Sequence, residues 1–268
     1  MLLTTQGIIL REVNYKESDK ILTVLTRTGG KVTVKARGCR RKGSRLAAST
    51  QLLVYSEMTL FSYRDHYTLN EAEPLELFWG VRSDVEKVAL GSYFAEVLEA
   101  VVGEEQPDPA VLSLLLNALY ALDRLNKPLP LVKAVFELKL LSLIGYEPLL
   151  DACAVCGVPE PEDARFQLVD GVLLCARCRG GGEGLSVPVS PGVLAAMRHV
   201  VYGDPKRIVS FVLGEDGLRQ LARVSERFLT TQLDRGFRTL DFYKDLVFPA
   251  PGLGPAAGGT DQQENRQT

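Results

Sequence analysis

The sequence predicts an α+β protein: a small N-terminal β-barrel, then an α-helical domain with an inserted four-cysteine module. Three observations predict it. Residues 1–80 contain short runs rich in β-branched and aromatic residues, separated by turn residues. From Val81 the apolar spacing becomes helical. Two Cys-x-x-Cys pairs then interrupt the helical pattern. The expected boundaries are a barrel at 1–80, a first helical part at 81–152, the module at 153–184, a second helical part at 185–248 and a tail at 249–268. The tail is Gly/Pro-rich and then polar, a composition that predicts disorder.

In the barrel, "DKILTVLT", "GKVTVKAR", "QLLVYSEMTLF" and "HYTLNEAE" read as strands. Alternation in "KVTVKAR" puts Val32, Val34 and Ala36 on one face and Lys31, Thr33, Lys35 and Arg37 on the other. Helices follow at "RSDVEKVALGSYFAEVLEAVV", "AVLSLLLNALYALDRLN" and "LPLVKAVFELKLLSLIGY". The last is apolar nearly all round and belongs in the middle of a bundle. Two more helices are read at "SPGVLAAMRHVVY", with Ser190 as cap and Pro191 in the first turn, and at "DGLRQLARVSERFLTTQLD".

The cysteine pairs, Cys153/Cys156 and Cys175/Cys178, are separated by 18 residues, within the spacing of four-thiolate zinc sites. The intervening "RFQLVDGVLLC" reads as a hairpin turning at Asp170-Gly171. Disulfides or a redox pair are the alternatives. The N-terminus shows no basic n-region or cleavage site, so a cytoplasmic location is expected and disulfides are disfavoured. Four cysteines close the coordination shell, so one structural Zn2+ is expected, replacing a core in a segment too short to build its own. "RGGGEG" at 179–184 reads as a hinge.

Charge is uneven although the formal net charge is -2. Residues 1–80 hold 12 basic and 8 acidic side chains, and no acid occurs between Lys20 and Ser56. "KVTVKARGCRRKGSR" (31–45) carries seven cations: Lys31, Lys35, Arg37, Arg40, Arg41, Lys42 and Arg45. Such a run is commonly plain solvated surface. On a small barrel, near Tyr55, Phe61, Tyr63 and Tyr67, it is read here as a nucleic-acid surface, with cations for phosphates and rings for unpaired bases. The aromatics alone are weak support, because a strand aromatic more often fills a core. Arg219, Arg223 and Arg227 form a basic stripe on a later helix, a possible second contact with Arg235 and Arg238. Cys39, within the loop, is read as incidental, with flanking cations favouring its thiolate.

Enzyme signatures are scarce. There are two histidines, no H-E-x-x-H, no phosphate-binding G-x-x-x-x-G-K-[ST] and no G-x-S-x-G. A binder is expected. The other classes left open are an RNA-binding or transcription-associated zinc protein and a hydrolase with unrecognised catalytic groups. No stretch reaches the roughly 18 apolar residues of a membrane helix.

"GIILREVNYKESDKILTVLTRTGGKVTVKARGCRRKGSRL" and "LKLLSLIGYEPLLDACAVCG" resemble the bacterial RecO family of recombinational DNA-repair mediators, with the match running in order from 1 to about 248. The resemblance implies an oligonucleotide-binding (OB-fold) barrel, a helical domain and a zinc module. It implies a non-enzymatic protein of the bacterial cytoplasm, associated with the nucleoid, that binds single- and double-stranded DNA and anneals complementary strands. With RecR it would help load RecA onto DNA coated by single-strand-binding protein. The family's basic barrel surface falls on Lys35, Arg37, Arg40, Arg41, Lys42 and Arg45. Its zinc ligands fall on the four paired cysteines.

Overall fold

A computed structural model describes residues 1–64, 66–178 and 185–247. The hinge expected at 179–184 and the tail at 249–268 lie outside them. Five strands, β1 (Leu2–Tyr15), β2 (Asp19–Thr26), β3 (Gly30–Ala36), β4 (Tyr55–Tyr63) and β5 (His66–Glu76), close into a barrel in the order β1-β2-β3-β5-β4. Neighbours are antiparallel except β3 and β5, which run parallel. This is the five-stranded Greek-key arrangement of an OB barrel. Val32, Val34 and Ala36 point inward beside Ile9, Leu22 and Met58, as the alternation in β3 requires.

The sequence reading assigns no strand to residues 2–15, and the structure corrects this. Side chains alternate along β1, so Ile8 and Leu10 take one face and Ile9 the other, with a register slip following between Ile9 and Arg11. Ile9 enters the barrel core, while Ile8 and Leu10 join the core of the helical region. With both faces covered over Gly7–Leu10, apolar alternation vanishes there. β4 begins at Tyr55 instead of Gln51. Leu53, at φ 62°, turns the chain and donates its N–H to the Ile9 carbonyl at 2.9 Å.

The helices are α1 (Trp79–Arg82), α2 (Val85–Val101), α3 (Pro109–Arg124), α4 (Leu129–Leu143), α5 (Pro191–Tyr202), α6 (Glu215–Gln232) and α7 (Arg238–Val247). Asp84 and Asp108 cap α2 and α3 by accepting two backbone N–H groups each, worth about 1 kcal/mol per cap. Ser190 does not cap α5. Its hydroxyl donates to Gln220 Oε1 at 2.7 Å and bolts α5 to α6. α1 and α7 are additions to the predicted set. α7 is short and polar, and it docks where Thr239 donates its N–H to Glu96 at 3.0 Å.

α4 is central, as its composition predicts, yet it also buries Lys133 and Glu137. Lys133 Nζ lies 2.9 Å from both Glu137 Oε1 and Glu226 Oε2. Tyr93 donates to Glu137 Oε1 at 2.7 Å, and Ser225 donates to Oε2 at 2.6 Å. Lys244 closes on Glu226 Oε1 at 2.8 Å. The network thus joins α2, α4, α6 and α7.

The cysteine module is a sheet in the order β6-β8-β7-β9, from β6 (Leu149–Cys153), β7 (Arg165–Gln167), β8 (Val172–Leu174) and β9 (Ser186–Pro188). The expected hairpin forms, with Gly171 at φ 66° in its turn. The module does not lack a core. Phe166 packs edge-on against Phe228 of α6, ring centres 4.9 Å apart, and Leu168, Leu173 and Val187 join the helical core.

Candidate nucleic-acid interface and metal centre

After β3 the chain crosses the barrel as a series of turns, pinned at both ends. Gly38, at φ 64°, donates its N–H to Asp19 Oδ1 at 2.8 Å, and Arg40 N–H reaches the Ser18 carbonyl at 3.0 Å. Cys39 is not incidental. Its thiol is buried in the barrel core beside Leu46. At the far end, Thr50 Oγ1 donates to the Leu46 carbonyl at 2.8 Å, and Lys20 Nζ donates to the Thr50 carbonyl at 3.1 Å. The Gly38 N–H holds the Asp19 carboxyl below its usual range against the effect of burial, with Lys35 assisting.

The seven cations then separate into three kinds. Arg37, Arg40, Arg41, Lys42 and Arg45 are exposed and none forms an ion pair among the described residues, although Arg40 Nη1 donates to the Glu17 carbonyl at 3.3 Å on the surface. Lys35 is 3.6 Å from Asp19 Oδ2. Lys31 is captured: its ammonium donates to the Glu99 carbonyl at 2.7 Å, in the last turn of α2, where the helix dipole favours a cation. The segment contains no acid, but the fold supplies acids from outside it.

The aromatics are also sorted. Tyr55 donates to Gln6 Oε1 at 2.8 Å and packs against the helical core, and Tyr67 packs against the barrel core. Phe61 and Tyr63 are 47% and 58% exposed on β4. A further exposed ring, which sequence reasoning missed, is Tyr15, 42% exposed, with Lys35 Nζ 4.9 Å from its centre and Lys16 Nζ at 5.6 Å. The signal was the Tyr-Lys step opening the β1–β2 turn, just before the acid-free stretch. A groove of about 470 Å³ runs over the outer face of β1–β3, lined by Arg11, Val13, Ile21, Thr23 and Thr33 and closed by Glu99 and Glu104.

On α6, Arg219 pairs with Glu215 at 3.3 Å and Asp216 at 2.7 Å. Arg223 is exposed and Arg227 half-buried, neither in an ion pair among the described residues. Arg235 lies over the Phe237 ring at 4.9 Å, and Arg238 opens α7.

The four cysteines converge. The Sγ atoms of Cys153, Cys156, Cys175 and Cys178 all lie within 4.8 Å of one another, close enough to bind one metal ion. Gly157, at φ 71°, turns the chain after the first pair, and the Cys175 N–H points at Cys153 Sγ at 3.4 Å. Burial raises the Cys153 thiol, but N–H groups of Cys156, Val155 and Cys175 outweigh it and hold the thiol down at about 6. Hydrogen bonding to the sulfurs of Cys156 and Cys175 pushes Cys178 up to about 12.

The family model described as Recombination protein O N terminal matches residues 1–78, and Recombination protein O C terminal matches residues 82–241. This chain belongs to the RecO family. The DNA repair protein RecO of Acetivibrio thermocellus is 36% identical over 245 residues, covering 91% of this chain and 97% of that protein. That of Symbiobacterium thermophilum is 35% identical over 249 residues, with 91% and 98% covered. That of Alkaliphilus metalliredigens is 30% identical over 247 residues, with 92% and 100% covered. For a RecO-family chain, the geometry places on a fixed barrel loop five cations that form no ion pair among the described residues, and gathers four thiols in one cluster. No helix among its described residues is long and apolar enough to cross a membrane.

Proposed function

We propose that this chain is a non-enzymatic mediator of DNA repair and recombination. It binds single- and double-stranded DNA, anneals complementary strands and, with RecR, helps load RecA onto DNA coated by single-strand-binding protein, in the bacterial cytoplasm at the nucleoid. Family membership supports the setting, and one observation carries the binding surface: five cations on a pinned barrel loop have no carboxylate partner. Cations held this way meet phosphates without first breaking ion pairs, and they lower the repulsion between two strands. Lys and Arg aimed at phosphates carry no base-edge code, so little sequence preference is expected. Tyr15 offers a ring face for an unpaired base.

The metal in this reading is one structural Zn2+. Tetrahedral thiolate coordination at 2.3 Å gives sulfur–sulfur edges of about 3.8 Å, and Cys156 Sγ and Cys175 Sγ are 3.7 Å apart. Bound zinc supplies cross-linking of the two turns. The residues themselves supply the N–H groups that stabilise thiolate at Cys153. Purified protein should contain about one zinc per chain, and Cys153→Ser should lose it.

The test of the surface is fluorescence anisotropy of a labelled single-stranded oligonucleotide across a salt series. Five phosphate contacts give a slope of log K against log salt of about -3.5, and Arg40→Ala/Arg41→Ala/Lys42→Ala should flatten it by about 2. Identical curves would remove the loop from the interface. Preference for RNA of equal length would favour an RNA-binding protein, and cleaved DNA in the presence of divalent metal would reveal a hydrolase.

A further inference from the structure

A second cationic groove lies away from the barrel, between β9 and α6. It encloses about 490 Å³, and its lining holds four guanidinium groups, Arg165, Arg219, Arg223 and Arg227, against one carboxylate, Asp216. No barrel residue lines it. Arg165 comes from β7 of the cysteine module, so the site is invisible along the chain: its two walls are 54 residues apart at Arg165 and Arg219.

The groove is preorganised. Arg165 is held to Ser186, Nε to Oγ at 2.9 Å and Nη2 to the carbonyl at 3.2 Å, which fixes the guanidinium at the wall. Gln220 ties α6 to β9 through the Pro188 carbonyl at 3.3 Å. Arg219 is steadied by Glu215 and Asp216 at the rim. Arg223 and Arg227 keep their charge unpaired among the described residues. The module's acids, Glu160, Glu162 and Asp163, line a neighbouring recess that also touches Arg165, and Glu160 is engaged by Arg198 at 2.6 Å. The groove itself is therefore the cationic side of an otherwise acidic module.

We infer that this groove is a second binding site for a nucleic-acid backbone, so that one chain holds two strands at once. The inference rests on the DNA-binding reading above and deepens it. Arginines four residues apart step along the helix by about 6 Å, a row of planar forks that fits successive phosphates of an extended strand. Its apolar lining is only Val187, Pro188 and Val224, too little to form the pocket that anchors a peptide side chain. Two separate cationic surfaces give annealing a physical basis, with one strand on the barrel loop and its complement in the groove.

The experiment uses the full chain with two non-complementary oligonucleotides, one carrying a donor dye and one an acceptor. Energy transfer reports two strands on one complex, and sedimentation velocity counts the chains in it. The native chain should bring the dyes together in a complex containing one chain. Arg223→Ala/Arg227→Ala should bind the first strand within about twofold of native, because distant sites act independently, yet lose the second. Loss of charge-assisted bonds to phosphate should lower second-strand affinity about tenfold or more. Arg223→Lys/Arg227→Lys should restore part of it, which a purely structural defect would not. Native-like energy transfer in the alanine variant, with melting temperature and metal content unchanged, overturns the proposal. So does a requirement for two chains per strand pair. An acidic peptide that binds the native chain but not the alanine variant, with second-strand capture intact, assigns the groove to a protein instead. Failure of the native chain to bind even one strand defeats the DNA-binding reading itself, which separates the two ideas.

Discussion

Two clusters of charge, one in the helical core and one on the barrel, show opposite uses of the same side chains. Lys133 is 3% exposed and has a carboxylate on either side of its ammonium. Arg37, Arg40, Arg41, Lys42 and Arg45 are exposed and form no ion pair among the described residues. Burial works against the charge on Lys133, but Glu137 and Glu226 more than offset it and hold the ammonium above its usual value. Burial pushes Glu137 up although Lys133, Ser225 and Tyr93 all stabilise its carboxylate. A charge whose partners are all within the fold specifies how helices meet. A charge left without a carboxylate partner is free for a phosphate.

The largest expected break in this contrast is at Lys133. Lys133→Ala leaves Glu137 buried without its counter-charge, and removing one partner of a buried pair costs about 3–5 kcal/mol. Chemical denaturation should show that loss, while the salt slope of DNA binding in folded protein stays native. Lys133→Met/Glu137→Gln should recover part of the stability, because no lone charge remains.

Lys31 sharpens the contrast, since it belongs to the basic stretch by sequence and to the core kind by structure. Lys31→Met removes a charged hydrogen bond to the Glu99 carbonyl, a loss of roughly 1.5–3 kcal/mol at most for a partly buried group. Its salt slope should match native protein. A slope flattened as in the Arg40/Arg41/Lys42 variant would return Lys31 to the DNA surface.

The smallest effect is on the acid limb of stability. Glu226 is pushed up by burial, but Lys133 and Lys244 outweigh this and hold it below its usual 4.5. A depressed carboxylate contributes stability that is complete above the usual value and is lost as pH falls through the folded value. Urea titrations from pH 7 to pH 3 should show Glu226→Gln less stable than native near neutrality but declining less steeply in acid. Parallel curves would mean that other carboxylates, such as Glu96 and Asp19, carry the acid limb.

Much of this organisation is legible in the chain, because some of its physics is local. Cys-x-x-Cys turns and strand alternation act within a few residues, so the four ligand positions and the inward face of β3 are readable directly. Lys133 and Glu137 left a fainter signal, an i,i+4 ion pair on a helix with no polar face. Other features depend on distant partners. Nothing near Lys31 announces the Glu99 carbonyl, and nothing near Arg219 announces Arg165. Of the five rings near the basic surface, only topology decides that Tyr55 and Tyr67 pack while Tyr15, Phe61 and Tyr63 stay exposed.

The two-faced middle of β1 reaches beyond the strand itself. Ile8 and Leu10 serve the helical core while Ile9 between them serves the barrel, and Leu25 and Leu53 also lie in the helical core. Severing the chain near residue 80 would therefore strip cover from Ile8, Leu10, Leu25, Leu53 and Phe78, leaving a barrel prone to self-association. The DNA-gripping unit is not a portable cassette, and a graft that transplants it must carry its helical bed along.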